Sequence, residues 1–173
     1  AEWALAERVE AAGLLARATS PCWSMLRDAR TDGTVEAALS DGLLEELTVE
    51  GSGRPYLAPA GFRDRETHAM DDRLRILGPL DPLLWDRKLV RQLFGFEYVW
   101  EVYKPKHTRQ YGWYVCPLLH GEALVGRLEG HVDGTTLVVD NLWPEEGVTI
   151  DDEALDETLA HHAAALGCDW FVR

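Results

Sequence analysis

Cysteine is scarce in this chain, and its placement excludes two common classes of small protein. The 173 residues contain three cysteines, Cys22, Cys116 and Cys168, which are far apart in sequence. No CxxC pair and no Cys/His zinc spacing occurs, so a disulfide-stapled secreted domain and a zinc finger are excluded. His161 and His162 are adjacent, and on a helix they point about 100° apart, so they are unsuited to holding one ion together. We expect reduced thiols, a cytoplasmic location and no metal.

Long apolar runs are absent as well. No stretch approaches the roughly 20 apolar residues that a membrane span needs, and the first residues lack the cationic start of a signal peptide. We therefore expect no membrane partner. The chain does not begin with Met, and residues 169–173 are typical of a strand that is cut short. These two features predict that a remainder of the same polypeptide is missing.

Positive charge is in short supply and is unevenly placed. The chain has 17 Lys and Arg against 30 Asp and Glu, for a formal net charge of -13, which excludes a generic DNA-coating protein. Residues 140–157 include eight acidic residues and no Lys or Arg, whereas residues 87–109 include six basic and two acidic residues. The basic region fits a nucleic-acid surface or the polar side of an amphipathic helix, and the acidic faces fit a role in solubility.

The first part of the chain, residues 1–62, has the order of a winged helix-turn-helix. The residue spacing predicts helices over 2–17, 22–29 and 34–44, followed by strands at 47–49 and 54–57. In that fold a recognition helix enters the major groove and the hairpin wing touches the backbone. The third helix here carries Glu36 and Asp41 and no Lys or Arg. Because DNA phosphates repel an acidic helix, we expect this winged helix to be a scaffold or an interface.

The second part is predicted to be an α+β domain over residues 77–173, after a polar segment at 63–76 that is a linker or a surface helix. Asp81 is placed to cap a helix that begins at Pro82 and ends at Gly95. The later pattern predicts strands at 98–103, 111–119, 123–132 and 135–142, a helix from Asp151 or Asp152 to Gly167, and a last strand. The predicted fold is a winged helix-turn-helix followed by an antiparallel β-sheet domain with packing helices.

A basic loop, defined here as Lys104–Gln110 with the sequence KPKHTRQ, joins the first two predicted strands of that sheet. The flanking segments are rich in Tyr and Trp. Lys and Arg neutralise phosphates, and aromatic rings stack on bases, so we expect a basic β-hairpin that binds DNA. The candidate DNA-binding residues are Lys104, Lys106, His107, Arg109, Tyr111, Trp113, Arg87 and Arg91.

Structural alternatives stand beside several of these assignments. Tyr111 and Trp113 are two residues apart and face the same side of their predicted strand. Their rings can also pack the sheet, and for Trp113 core packing is the favoured alternative. Glu97 and Glu101 are predicted to be solvent-facing partners of Arg109 or Lys104 rather than catalytic acids, since cross-strand charge pairs are common. Gly112 is expected where the strand bulges or another group approaches its backbone closely.

A long segment of the chain resembles one known family. The sequence GPLDPLLWDRKLVRQLFGFEYVWEVYKPKHTRQYGWYVCPLLHGEALVGRLE is similar to the C-terminal region of the AlkZ/YcaQ-type winged-helix DNA glycosylases. The shared order is a DPL-WDR helix, an LFGFEY junction, an E-Y-P segment, an R-YG-YV-P-L strand and a G-LVGR strand. The segment TVEAALSDGLLEELTVEGSGRPYLAP also resembles the last winged helix of that family, so the resemblance covers most of the chain from Thr34 onward.

The resemblance implies an enzyme of tandem winged helices. Such enzymes unhook DNA interstrand crosslinks and excise alkylated bases by hydrolysing the N-glycosidic bond, without a metal or a cofactor. Their catalytic signature is Gln-X-Gln or Gln-X-Asp, but this chain has only Gln92 and Gln110, and neither is followed by that pattern.

The chain is therefore expected to be the DNA-binding C-terminal portion of such a glycosylase. It would have no catalytic residue of its own and would be inactive alone, with damaged or crosslinked double-stranded DNA as its partner. Arginine-rich rather than lysine-rich usage indicates a bacterium, where the protein would be cytoplasmic and nucleoid-associated. The alternative is a non-catalytic DNA- or protein-interaction module of the same family, with acidic faces that contact a basic partner.

Overall fold

The computed structural model describes residues 1–65 and 71–173, and these fall into two compact units. Among the described residues, 1–65 and 80–97 form the first unit, and 71–79 and 98–173 form the second. The sequence-based boundaries placed 80–97 in the second domain. The structure differs because this segment packs on the first unit: the Arg8 guanidinium lies 5.4 Å from the Trp85 ring centroid, and Gln92 Nε2 donates to the Glu50 carbonyl at 2.7 Å.

Three helices and a small sheet make up the first unit. Its elements are α1 (Glu2–Ala12), β1 (Leu15–Ala16), α2 (Thr34–Ser40), β2 (Leu44–Thr48), β3 (Pro55–Pro59) and α3 (Arg87–Phe94). The three strands pair antiparallel in the order β1-β3-β2. The helices and the sheet enclose an apolar core that includes Leu5, Val9, Trp23, Val35 and Leu57.

The predicted hairpin in this unit is confirmed as β2 and β3, but the helices before it are shorter than expected. α1 ends at Ala12 because Gly13 adopts a positive φ of 69°, and the chain then pairs with β3 as β1. The segment predicted as a helix over 22–29 contains only short 3₁₀ turns. The winged helix-turn-helix itself remains a prediction.

Around α3 the sequence signals are confirmed in detail. The Asp81 side chain accepts a hydrogen bond from the Leu83 N–H at 2.9 Å, and Gly95 closes α3 with a φ of 64°. A second cap was not predicted: the Asp86 side chain accepts hydrogen bonds from Lys88 N and Leu89 N. The helix that was expected to start at Pro82 is therefore a 3₁₀ turn followed by a separately capped α-helix.

The second unit is a five-stranded sheet with one long helix. Its elements are β4 (Leu74–Ile76), β5 (Val115–His120), β6 (Ala123–Asp133), β7 (Thr136–Pro144), α4 (Asp152–Ala165) and β8 (Trp170–Val172). The strands lie in sequence order, and a core including Leu118, Leu128, Leu155 and Leu159 joins the sheet to α4. The tight turn predicted at Asp133-Gly134 is confirmed between β6 and β7.

Three expectations for this sheet are corrected. The last strand, β8, pairs parallel with β7, because the crossover through α4 returns the chain in the same direction. Residues 74–76, within the predicted linker, form the edge strand β4. Residues 98–103 and 111–114 are not strands, so the basic loop is not the tip of a β-hairpin.

In the described part of the chain, no helix is long and apolar enough to span a bilayer.

Candidate nucleic-acid interface

A buried carboxylate closes the basic loop at its base. Glu101 is only 3% exposed, and its carboxylate accepts hydrogen bonds from Lys104 Nζ at 2.7 Å and from the backbone N–H groups of Gln110 and Tyr111 at 2.9 Å each. The sequence predicted a solvent-facing partner of Arg109 or Lys104: the pairing with Lys104 is confirmed, but the prediction that the side chain faces solvent was wrong. The N–H groups that a strand ladder would have used donate to Glu101 instead. One side chain thus holds both ends of the loop.

The charge of Glu101 is stabilised by these contacts. Burial disfavours the ionised form, but the hydrogen bonds from Lys104 and from the Tyr111 and Gln110 N–H groups lower the pKa of this carboxyl to about 2. Glu101 is therefore ionised at neutral pH. Charge-assisted hydrogen bonds of this kind are among the stronger ones in proteins, so the loop is firmly anchored.

A second carboxylate holds the chain just after the loop. Glu129, on β6, accepts hydrogen bonds from the Trp113 and Tyr114 N–H groups at 2.5 and 3.1 Å. A Cβ atom placed on Gly112 would overlap the Glu129 carboxylate, which confirms the predicted close approach at this glycine. We call residues 98–114 the anchored segment, since Glu101 and Glu129 replace the missing ladder hydrogen bonds.

Tyr111 has a structural place in the anchored segment. Arg127 is buried, and its guanidinium lies 4.7 Å from the Tyr111 ring centroid. The Tyr111 ring also meets Trp143 in an edge-to-face contact at 5.3 Å. Arg127 forms a further ion pair with Glu145. Of the two rings that the sequence placed together, Tyr111 is the packed one.

The loop itself presents cations to solvent. Its middle is a 3₁₀ turn over Lys106–Thr108, and Arg109 Nε donates to the Lys104 carbonyl at 2.8 Å. Lys106 and His107 are exposed and Arg109 is half-buried, and within residues 1–65 and 71–173 none of these three forms an ion pair. The Lys104 side chain is 45% exposed, but its ammonium is paired with Glu101. The four predicted loop residues therefore share one rigid turn, with three of them free to meet an anion.

Beside the loop lies a group of aromatic rings, here called the aromatic surface: Trp100, Tyr103, Trp113 and Tyr114. Tyr103 is 89% exposed, Trp113 54% and Tyr114 45%, so the expectation that Trp113 packs in the core was wrong. Trp100 lies edge-on to Tyr103 and to Tyr114, with centroids 6.1 and 6.3 Å apart. The sequence analysis did not select Trp100 or Tyr114. The many Tyr and Trp residues on both sides of the basic loop were the sequence signal that could have identified these two residues.

The two remaining predicted residues, Arg87 and Arg91, lie on α3 in the first unit. Arg91 pairs with Glu97 at 2.8 Å, with both side chains largely exposed, which fits the polar face of an amphipathic helix. The acidic α2 of that unit is partly neutralised within the chain. Arg17 pairs with both Glu36 and Glu46, at 2.6 and 2.8 Å.

A metal centre finds no support in the part of the chain that the structure describes, where no group of three or more His, Cys, Asp or Glu side chains is arranged to hold an ion. His161 and His162 both lie on α4, in line with the sequence interpretation.

Comparison with known proteins decides the family. The model of the family described as DNA glycosylase AlkZ-like matches residues 1–166. The chain belongs to the AlkZ-like DNA glycosylase family. The resemblance that the sequence motifs carried from Thr34 onward is confirmed, and the family match extends it to the first residue.

Among solved structures, the AlkZ-like chain is similar to the DNA glycosylase AlkZ of Streptomyces sahachiroi. The TM-score is 0.45 and the sequence identity is 19%, over 82% of this chain and 38% of that protein. The chain thus matches well under half of the length of that glycosylase. Family membership rests on the family model alone.

Proposed function

We propose that this chain is the DNA-binding portion of a glycosylase that hydrolyses the N-glycosidic bonds of alkylated bases and unhooks interstrand crosslinks. The observation that carries the proposal is the basic loop. Lys106 and His107, which are exposed, and Arg109, which is half-buried, lie in one rigid turn without ion pairs among the described residues, in a chain of net charge -13. Damaged or crosslinked double-stranded DNA is the partner whose phosphates these cations fit.

The rigidity of the basic loop favours phosphate binding by so small a cationic patch. Because Glu101 fixes both ends of the loop, little conformational entropy is lost when the loop meets a phosphate. Few phosphates are neutralised, and the acidic remainder of the chain repels the duplex. Binding is therefore weak and strongly dependent on salt.

The carboxylates of the anchored segment support a non-catalytic role for this portion. Hydrolysis of an N-glycosidic bond needs a positioned water and stabilisation of a cationic sugar. Glu101 is buried with its carboxylate engaged by three donors, and Glu129 is engaged by two backbone N–H groups. Since the Gln-X-Gln and Gln-X-Asp motifs are also absent from the sequence, we assign no catalytic residue here.

The first unit is proposed to be a winged helix that serves as scaffold rather than as major-groove reader. Its α2 has no Lys or Arg, and Arg17 forms ion pairs with Glu36 and Glu46. A reader helix would direct cations to the duplex instead. We place the whole enzyme at the bacterial nucleoid, in the cytoplasm, with no metal or cofactor in its mechanism.

One observation favours a second candidate function, a protein-interaction module. The N-terminal half of α4 and its cap carry Asp151, Asp152, Glu153, Asp156 and Glu157, and Arg173 pairs with Asp152 and Asp156. Such a face suits a basic protein partner.

The proposal is tested by titrating a labelled duplex with the chain at several salt concentrations. The double variant Lys106→Ala/Arg109→Ala leaves the Glu101–Lys104 pair intact and removes two cations. We expect weaker binding and a salt slope lower by about two units, at roughly 0.9 per phosphate. The matched control Arg27→Ala/Arg63→Ala makes the same change of charge in the first unit. If the control abolishes binding and the loop variant leaves it unchanged, the proposal is refuted.

A further inference from the structure

We infer that the aromatic surface is a base-stacking site, so that the chain binds DNA with unpaired bases more tightly than it binds intact duplex. This inference rests on the proposed DNA-binding function and names the kind of DNA that the site selects. The four rings are Trp100, Tyr103, Trp113 and Tyr114. They are not needed to explain the contact with phosphates.

Tyr103 is the most informative of these residues. It lies in the turn closed by the hydrogen bond from Lys104 N to the Glu101 carbonyl, at 2.9 Å, and 89% of its surface is exposed. Its ring contacts Trp100 edge-on at an interplanar angle of 64°. At this exposure at least one face of the ring is open to solvent. An open face is what a nucleobase needs in order to stack.

The backbone that carries the rings is held in place before any ligand arrives. Glu101 fixes the turn that carries Tyr103, and Glu129 fixes the backbone of Trp113 and Tyr114. Trp100 joins the two halves, since it contacts both Tyr103 and Tyr114. A contiguous group of large rings exposed on a rigid support indicates a binding surface, because exposing such a group has no benefit for folding.

The neighbouring charge identifies the occupant. Lys106 and Arg109 lie in the basic loop that begins at the residue after Tyr103, and they form no ion pairs within the described residues. Proteins that bind single-stranded nucleic acid commonly combine aromatic rings, which stack on bases, with neighbouring cations. In a closed duplex both faces of every base are covered by its neighbours, so the rings engage only where a base is unpaired, gapped or extruded.

The test compares two labelled DNAs of the same length, one fully paired and one with a short central bubble, by fluorescence anisotropy at fixed salt. We expect the unmodified chain to bind the bubble more tightly than the duplex, by about tenfold for each ring that stacks. Tyr103→Ala is expected to remove about tenfold of the affinity for the bubble and to leave duplex affinity unchanged. Tyr103→Phe is the matched control: it keeps the ring and is expected to behave as the unmodified chain.

The outcomes separate this inference from the proposed function. Lys106→Ala/Arg109→Ala is expected to weaken binding to both DNAs alike, because phosphates are present in each. If the chain binds duplex and bubble equally and Tyr103→Ala changes neither, the inference is overturned while DNA binding stands. Binding to neither DNA overturns both.

Discussion

Removal of the Glu101 carboxylate tests the anchoring of the basic loop. In Glu101→Ala, the N–H groups of Gln110 and Tyr111 and the ammonium of Lys104 lose their shared acceptor. An unsatisfied buried donor costs about 1–3 kcal/mol, and breaking a buried ion pair costs about 3–5 kcal/mol. Because Lys104 can swing into water and the loop can relax, these costs overlap. We expect a loss of about 3 kcal/mol of local stability.

Amide hydrogen exchange at Gln110 and Tyr111, followed by NMR, measures this local stability. A loss of about 3 kcal/mol corresponds to exchange faster by about a hundredfold, since about 1.4 kcal/mol is a factor of ten. Glu101→Gln keeps one acceptor oxygen, so its exchange rates are expected to lie between those of the unmodified chain and those of Glu101→Ala. The control is Glu97→Ala, whose exposed pair with Arg91 contributes about 1 kcal/mol at most. Equal exchange rates in Glu101→Ala and in the control would refute the anchoring.

Three other predictions concern the same segment and its chemistry. The ionised Glu101 carboxylate contributes its full stabilisation above the ordinary glutamate pKa near 4.3, and this stabilisation is lost as pH falls toward the folded-state pKa of about 2. Protection of the Gln110 and Tyr111 amides is therefore expected to hold at pH 5 and to decrease below about pH 4. Gly112→Ala is expected to push the Glu129 carboxylate away and to speed exchange of the Trp113 and Tyr114 amides, whereas Gly78→Ala, where a Cβ meets nothing, leaves them unchanged. The chain alone is expected to release no base from duplex containing N7-alkylated guanine, and abasic sites above a heat-killed control would contradict the missing catalytic motif.

Local signals explain what the sequence predicted correctly. The cap at Asp81, the helix end at Gly95 and the turn at Asp133-Gly134 each depend on residues within a few positions of one another. Such features are encoded by side-chain chemistry and by allowed backbone angles. The close approach at Gly112 was predicted for the same reason, because glycine within a strand-like pattern indicates that another group lies near the backbone.

The errors arose where distant partners decide the structure. Alternating aromatic residues predicted strands on both sides of the basic loop, but the N–H groups there donate to Glu101, 9 and 10 residues away, and to Glu129, 15 and 16 residues away. No periodic pattern encodes such contacts. The assumed strand placed Tyr111 and Trp113 on one face, whereas the structure packs Tyr111 against Arg127 and exposes Trp113. The sequence placed the loop cations together because they are close neighbours along the chain, and in the structure Lys106 and His107 are exposed while Arg109 is half-buried.

Contact between the basic loop and DNA is the central claim, and NMR chemical-shift mapping of the isotope-labelled chain with duplex DNA tests it most directly. We expect the largest shifts at the amides of Lys106, His107 and Arg109, and we expect them to disappear as salt is raised. Shifts concentrated in α2 and in the β2–β3 hairpin, with the loop unchanged, would contradict it.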